Sequence, residues 1–114
     1  MIIRKKIAKL MSFILLLGAV SLYAAPLDNM ANSKVSVGVV ATEIAPANYK
    51  RKEITLYNDG SDVIYIDNNI TDCTVADSYP IQSSVTYKLE GYQGAIWGIV
   101  ATTTSTVRIS EIQY

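Results

Sequence analysis

The chain has 114 residues, half of them apolar, and its ten Lys/Arg balance ten Asp/Glu. That length admits one domain. There is no histidine and one cysteine, which excludes Ser-His-Asp and Cys-His catalysis, His-based zinc sites and an internal disulfide.

The first predicted element is a signal helix. "MIIRKKIAK" carries Arg4, Lys5, Lys6 and Lys9 with no acid, and an apolar run from Leu10 to Val20 follows. "SLYAAP" then supplies the small residues that a signal peptidase cuts beside. The apolar run falls short of the ~20 residues needed to span a bilayer. Residues 1–24 therefore read as a cleavable signal peptide, with the cut after Ala24 or Ala25. The mature chain is expected in the periplasm, on the cell surface or outside the cell, and meets a membrane only during export. Its loss removes four of the ten basic residues and no acid, leaving six against ten and a net charge of −4. Lys50, Arg51 and Lys52 are then the one basic cluster, a poor footprint for nucleic acid.

"APLDNMANS", residues 25–33, is polar and without period, and reads as a flexible linker. From residue 34 to 114 the period is two, which is the period of strands. "KVSVGVV" places Val35, Val37 and Val39 on one face, and "YKRKEITLYN" follows the break at Pro46. "SDVIYID" is the third run and "NITDCTV" a weaker fourth. Parity with Val75 there points to a buried Cys73 acting as a small hydrophobe. "SSVTYKLE" sets Val85, Tyr87 and Leu89 on one side, so Tyr87 reads as core. "GAIWGIVA" is apolar on both parities and is expected as a central strand with Trp97 in the core. "TTTST" reads as a polar connection, and "TSTVRISEI" closes the domain. The whole is an all-β chain: a small antiparallel β-sandwich, jelly-roll or immunoglobulin-like, of about seven short strands behind the signal helix.

"ITLYNDGSDVIYID" reads as a hairpin. Asn58-Asp59-Gly60 fits a three-residue loop with Gly60 in the left-handed conformation. Ile54, Leu56, Ile64 and Ile66 then share a core face. Thr55, Tyr57, Val63 and Tyr65 share the other, and are the candidate interface, because Tyr buries area while keeping a hydrogen bond.

No catalytic, cofactor or metal residue is predicted. Asp67 to Asp72 begins like a calcium loop, but it has Asp72 where the loop needs glycine and Ser78 where it needs glutamate. Asn69-Ile70-Thr71 is a glycosylation sequon, of consequence only in a host that glycosylates.

The order of "NYKRKEITLYNDGSDVIYI", "YPI", "SSVTYKLE", "GAIWGIVA" and "STVRISEI" resembles a group of small phage virion-associated proteins. The likeness rests on Arg51 before a strand, Asn58 to Gly60 at a turn, Tyr65-Ile66, Pro80-Ile81, Ala95-Ile96-Trp97 with Ile99, and Val107 to Glu111. It implies a β-sandwich that decorates a larger assembly and has no active site. The signal peptide departs from that pattern. The expected function is thus a non-enzymatic, exported structural or assembly subunit, with a protein partner or self-assembly into a homo-oligomer. The alternative is a secreted or periplasmic binding module for a glycan or for surface adhesion; a fimbrial subunit that donates "KVSVGVVATEI" as a strand is a third.

Overall fold

Residues 29–114 are described in a computed structural model of the chain; the expected signal peptide and residues 25–28 lie outside them. Eight strands follow in order: β1 (Asn29–Val37), β2 (Thr42–Ala45), β3 (Arg51–Asn58), β4 (Ile64–Asp67), β5 (Tyr79–Ile81), β6 (Thr86–Glu90), β7 (Ile96–Ile99) and β8 (Ser105–Gln113). They form two four-stranded sheets, β1-β8-β3-β6 and β2-β7-β4-β5. Every strand pair is antiparallel. Only the β4–β5 connection stays within a sheet; every other connection crosses from one sheet to the other. Two interleaved four-stranded sheets of this order make a jelly roll.

Alternation builds the core. Val37, Ile54, Leu56, Val107 and Ile109 point in from the first sheet; Ile44, Ile64, Ile66, Ile81 and Ile96 point in from the second. A bulge between Glu43 and Ala45 turns both Ile44 and Ala45 inward. β7 crosses the middle of its sheet with Gly98 facing in, where a Cβ would meet Ile44 Cδ1 at 2.5 Å. The glycine leaves the space that Ile44 fills.

Polar plugs at the two ends of β3 tie the loops to the sandwich. Between Arg51 and Glu53 the register with β8 slips by one residue, which leaves Lys52 exposed and turns Arg51 inward. Arg51 is fully buried. Its Nε donates to Glu111 Oε1 at 2.6 Å, and its terminal nitrogens donate to the carbonyls of Pro46 and Gly94, each at 2.8 Å. At the other end, Asn58 is also fully buried and has all four of its side-chain bonding positions filled. Its amide donates to the carbonyls of Asp62 and Ile81, and its Oδ1 accepts from the Gly60 amide and the Ser105 hydroxyl.

Four expectations are corrected here. β3 and β4 are not a hairpin: residues 59–63 carry the chain from one sheet to the other. Ile54, Leu56, Ile64 and Ile66 are buried as expected, but they face each other across the core from opposite sheets. Gly60 has no positive φ; among the described glycines only Gly91 does. Glycine is needed at 60 because a Cβ there would lie 2.8 Å from Ser105 Cα. β1 starts at Asn29, so residues 29–33 of the expected linker are strand, held in register against Ile109–Gln113. Their side chains are exposed on both parities, and the backbone ladder alone defines them. The fourth predicted run, "NITDCTV", is loop, and β5 forms after it instead.

Candidate functional site

The structure divides the four predicted interface residues into two pairs on opposite outer faces. Thr55 and Tyr57 lie on the outside of the first sheet. Tyr65 lies on the outside of the second, with Val63 just before β4. No single surface contains both tyrosines, since the crossing at 59–63 separates them by the thickness of the sandwich.

The first outer face is a polar lattice. Cross-strand rows run Lys34–Arg108–Tyr57–Thr86 and Asn32–Ser110–Thr55–Lys88. They floor a shallow groove of about 590 Å³ lined by Asn32, Lys34, Thr55, Tyr57, Arg108 and Ser110. Arg108 is ion-paired to Asp59 at 2.8 Å. Glu53 and Glu90 sit directly opposite each other, a repulsive placement. Lys88 bridges both, and their hydrogen bonds, that of Glu90 foremost, hold its ammonium above the usual lysine range.

The second outer face is apolar at its centre. Tyr65 stands between Ile99 of β7 and Pro80 of β5, and Trp97 stands between Glu43 of β2 and Asp67 of β4. Trp97 is half-buried on this face rather than in the core. Both parities of β7 are apolar, but the inward one is taken by Ile96 and Gly98, so the indole and Ile99 go outward. Aromatic side chains on an exposed sheet face, next to aliphatic cross-strand neighbours, are the composition of an interface centre.

A third feature lies where the two sheets gape. β5 and β6 are edge strands of opposite sheets. Between them is a cleft of about 190 Å³ lined by Tyr79, Tyr87, Tyr92, Leu89, Ile66 and Ile96, with Asp67 and Asn68 where β4 ends. The Tyr79 and Tyr87 rings lie 4.9 Å apart between centroids, tilted by 37°. Tyr92 is fixed by donating its hydroxyl to the Ala95 carbonyl at 2.7 Å. Sequence reasoning placed Tyr87 in the core and gave Tyr79 and Tyr92 no role. Tyr87 and Leu89 do face inward, but β6 is an edge strand and leaves them half-covered.

Cys73 is buried and free. Its thiol points to the Tyr65 carbonyl at 3.8 Å from the loop between β4 and β5. Burial pushes its pKa up, opposed by a hydrogen bond with Ser78 and reinforced by the charge of Asp67. Val75, on the same parity, is exposed, so Cys73 is buried by the path of the loop and not by strand alternation. Among the described residues no three Asp, Glu or Cys side chains converge as a metal-holding group.

No family model and no curated protein matches the chain. Solved structures do. A de novo designed double-stranded β-helix matches with a TM-score of 0.50 at 16% identity, over 71% of this chain and 97% of the design. A Bacillus endospore appendage that forms disulfide-linked pili matches at 0.43 and 11%, over 76% and 89%. The cyanophage Pam1 capsid matches at 0.34 and 15%, over 76% and 85%. The designed protein confirms the two-sheet fold. The other two overlay too loosely to carry an argument, and at these identities none speaks to function.

Proposed function

We propose that the chain is a non-enzymatic, exported structural subunit of a larger assembly, such as the decoration of a virion or a cell surface. Its contact face would be the outside of the β2-β7-β4-β5 sheet. The observation that carries this reading is the cluster of Tyr65, Trp97, Ile99 and Pro80 on that face. The other side of the sheet is already spent on the core, and among the described residues no further layer covers this cluster, which suits it to contact with another molecule. The basic n-region, short apolar run and "YAAP" exit support export. The resemblance of the Arg51, Asn58–Gly60 and Val107–Glu111 segments to small virion-associated proteins supports the decorating role.

Light scattering on the exported protein tests it. A mass above that of one chain is expected for the wild type, and a monomer for Trp97→Ser. A wild type that stays monomeric at all concentrations, with no change on substitution, would overturn self-assembly through this face.

A further inference from the structure

We propose that the cleft between β5 and β6 is a binding site for a small organic cation of the trimethylammonium type. Three observations converge on it. First, three tyrosine rings, Tyr79, Tyr87 and Tyr92, line one small cleft together with Ile66, Leu89 and Ile96. Aromatic rings around an apolar space attract a cation through their quadrupoles.

Second, the one charged residue in its lining is an acid, Asp67, and the two cations nearest in the fold are already answered: Arg51, which donates to the Tyr92 carbonyl, by Glu111, and Lys88 of β6 by Glu53 and Glu90. From Glu53 to Tyr87 the sequence holds six acids and no Lys or Arg. Three of those acids, Asp67, Asp72 and Asp77, lie along the end of β4 and the loop to β5, and both strands line the cleft. Asp67 itself lies at the cleft, with one carboxylate oxygen accepting from the Asn69 amide. Its partner across the ladder is Trp97, so the carboxylate stands at the rim and not in the depth of the cleft.

Third, the cleft is poor in groups that a neutral polar ligand would need. Beyond the tyrosine hydroxyls, of which that of Tyr92 is already committed to Ala95, it offers Asp67 and Asn68 at one end. A hexose placed there would leave several hydroxyls without partners. A quaternary ammonium has no N–H to satisfy and presents methyl groups to the aliphatic wall. The tyrosine rings and the aliphatic wall lie in the cleft and not on the assembly face; Asp67 alone borders both, as the cross-strand neighbour of Trp97, so the Tyr79 variant is the one that tests the cleft apart from assembly.

Calorimetric titration of the exported protein with choline and tetramethylammonium tests the proposal. The controls are 3,3-dimethyl-1-butanol, the neutral carbon isostere of choline, and glucose. Choline is expected to bind, with the isostere about tenfold weaker, the loss of a cation–π attraction of ordinary size. Tyr79→Leu, on an exposed ring, and Asp67→Asn are each expected to weaken choline about five- to tenfold without moving the melting temperature. Added salt should weaken choline and leave the isostere unchanged. Equal binding of choline and its isostere would reduce the cleft to an apolar slot and overturn the proposal. Glucose binding in place of choline would overturn it in favour of a sugar site. No binding of either cation at millimolar concentration would overturn it outright, whatever the light-scattering result.

Discussion

At the scale of single residues, the sandwich depends on polar groups more than its apolar composition implies. Arg51 is buried with its charge answered by Glu111 and its remaining donors spent on loop carbonyls. Arg51→Ala would strand the Glu111 carboxylate and release the loops around Pro46 and Gly94. A destabilisation of about 3–5 kcal/mol is expected from urea unfolding, the usual cost of removing one member of a buried pair. Arg51→Lys should recover only part of it, since one ammonium cannot reach Glu111 and both loops at once. Cys73 gives a prediction in pH. Its thiol pKa is raised in the folded state, chiefly by burial, so the unfolded chain gives up this proton first as pH rises. Stability from this group is whole below the ordinary thiol pKa of about 8.5 and falls as pH climbs through and above it. Melting curves from pH 7 to 10 should show a steeper loss for the wild type than for Cys73→Ala. Parallel slopes would mean that the thiol ionises alike in both states. The sequence showed that Cys73 would be buried, but through strand parity, which does not apply to a loop. The need for glycine at 60 was legible too, while its cause, the close pass of Ser105, is a contact between residues 45 apart that no local pattern records.

At the scale of elements, alternation decides which side of a strand faces the core and is silent on which strand lies beside it. That is why Ile54, Leu56, Ile64 and Ile66 were readable as core, while the two strands that carry them were read as neighbours in one sheet. Their burial from opposite sheets makes them the contact that holds the sheets together. Leu56→Ala and Ile64→Ala should each cost about 2–5 kcal/mol in equilibrium unfolding. The pair should be non-additive if the two side chains share one packing site, a point a double-mutant cycle measures. A cost under 1 kcal/mol for either would contradict the observed core. β1 shows the opposite limit of legibility. Asn29–Lys34 are exposed on both parities, so no hydrophobic period marks them. They are strand because nine residues pair in continuous register with β8. The tyrosine cleft was hidden for a related reason. Tyr79 sits in a three-residue strand and Tyr92 in the loop between β6 and β7, where an aromatic residue has no period to belong to.

At the scale of the whole molecule, the jelly roll presents two outer faces of unlike character. One is the hydroxyl- and charge-rich lattice around Thr55, Tyr57 and Ser110. The other is the aromatic and aliphatic cluster around Tyr65, Trp97 and Ile99. Because the connection at 59–63 puts Tyr57 and Tyr65 on different faces, replacing each alone distinguishes the faces as contact surfaces. Neither residue belongs to the buried core, so Tyr57→Ser and Tyr65→Ser should both keep the fold and lower the melting temperature only slightly. Tyr65→Ser should dissociate the assembly, since it removes a large side chain from the centre of the apolar cluster. Tyr57→Ser should leave the assembly intact, since its neighbours Lys34, Thr55, Thr86 and Arg108 are polar and need no apolar cover. If contact is instead made head to tail, with the polar face of one copy on the apolar face of the next, both substitutions would dissociate it, and mixing the two variants would restore one productive contact per pair of chains. Light scattering on each variant and on their mixture separates these outcomes. Loss of assembly with Tyr57→Ser alone would move the contact to the first sheet and overturn the assignment of the Trp97 face.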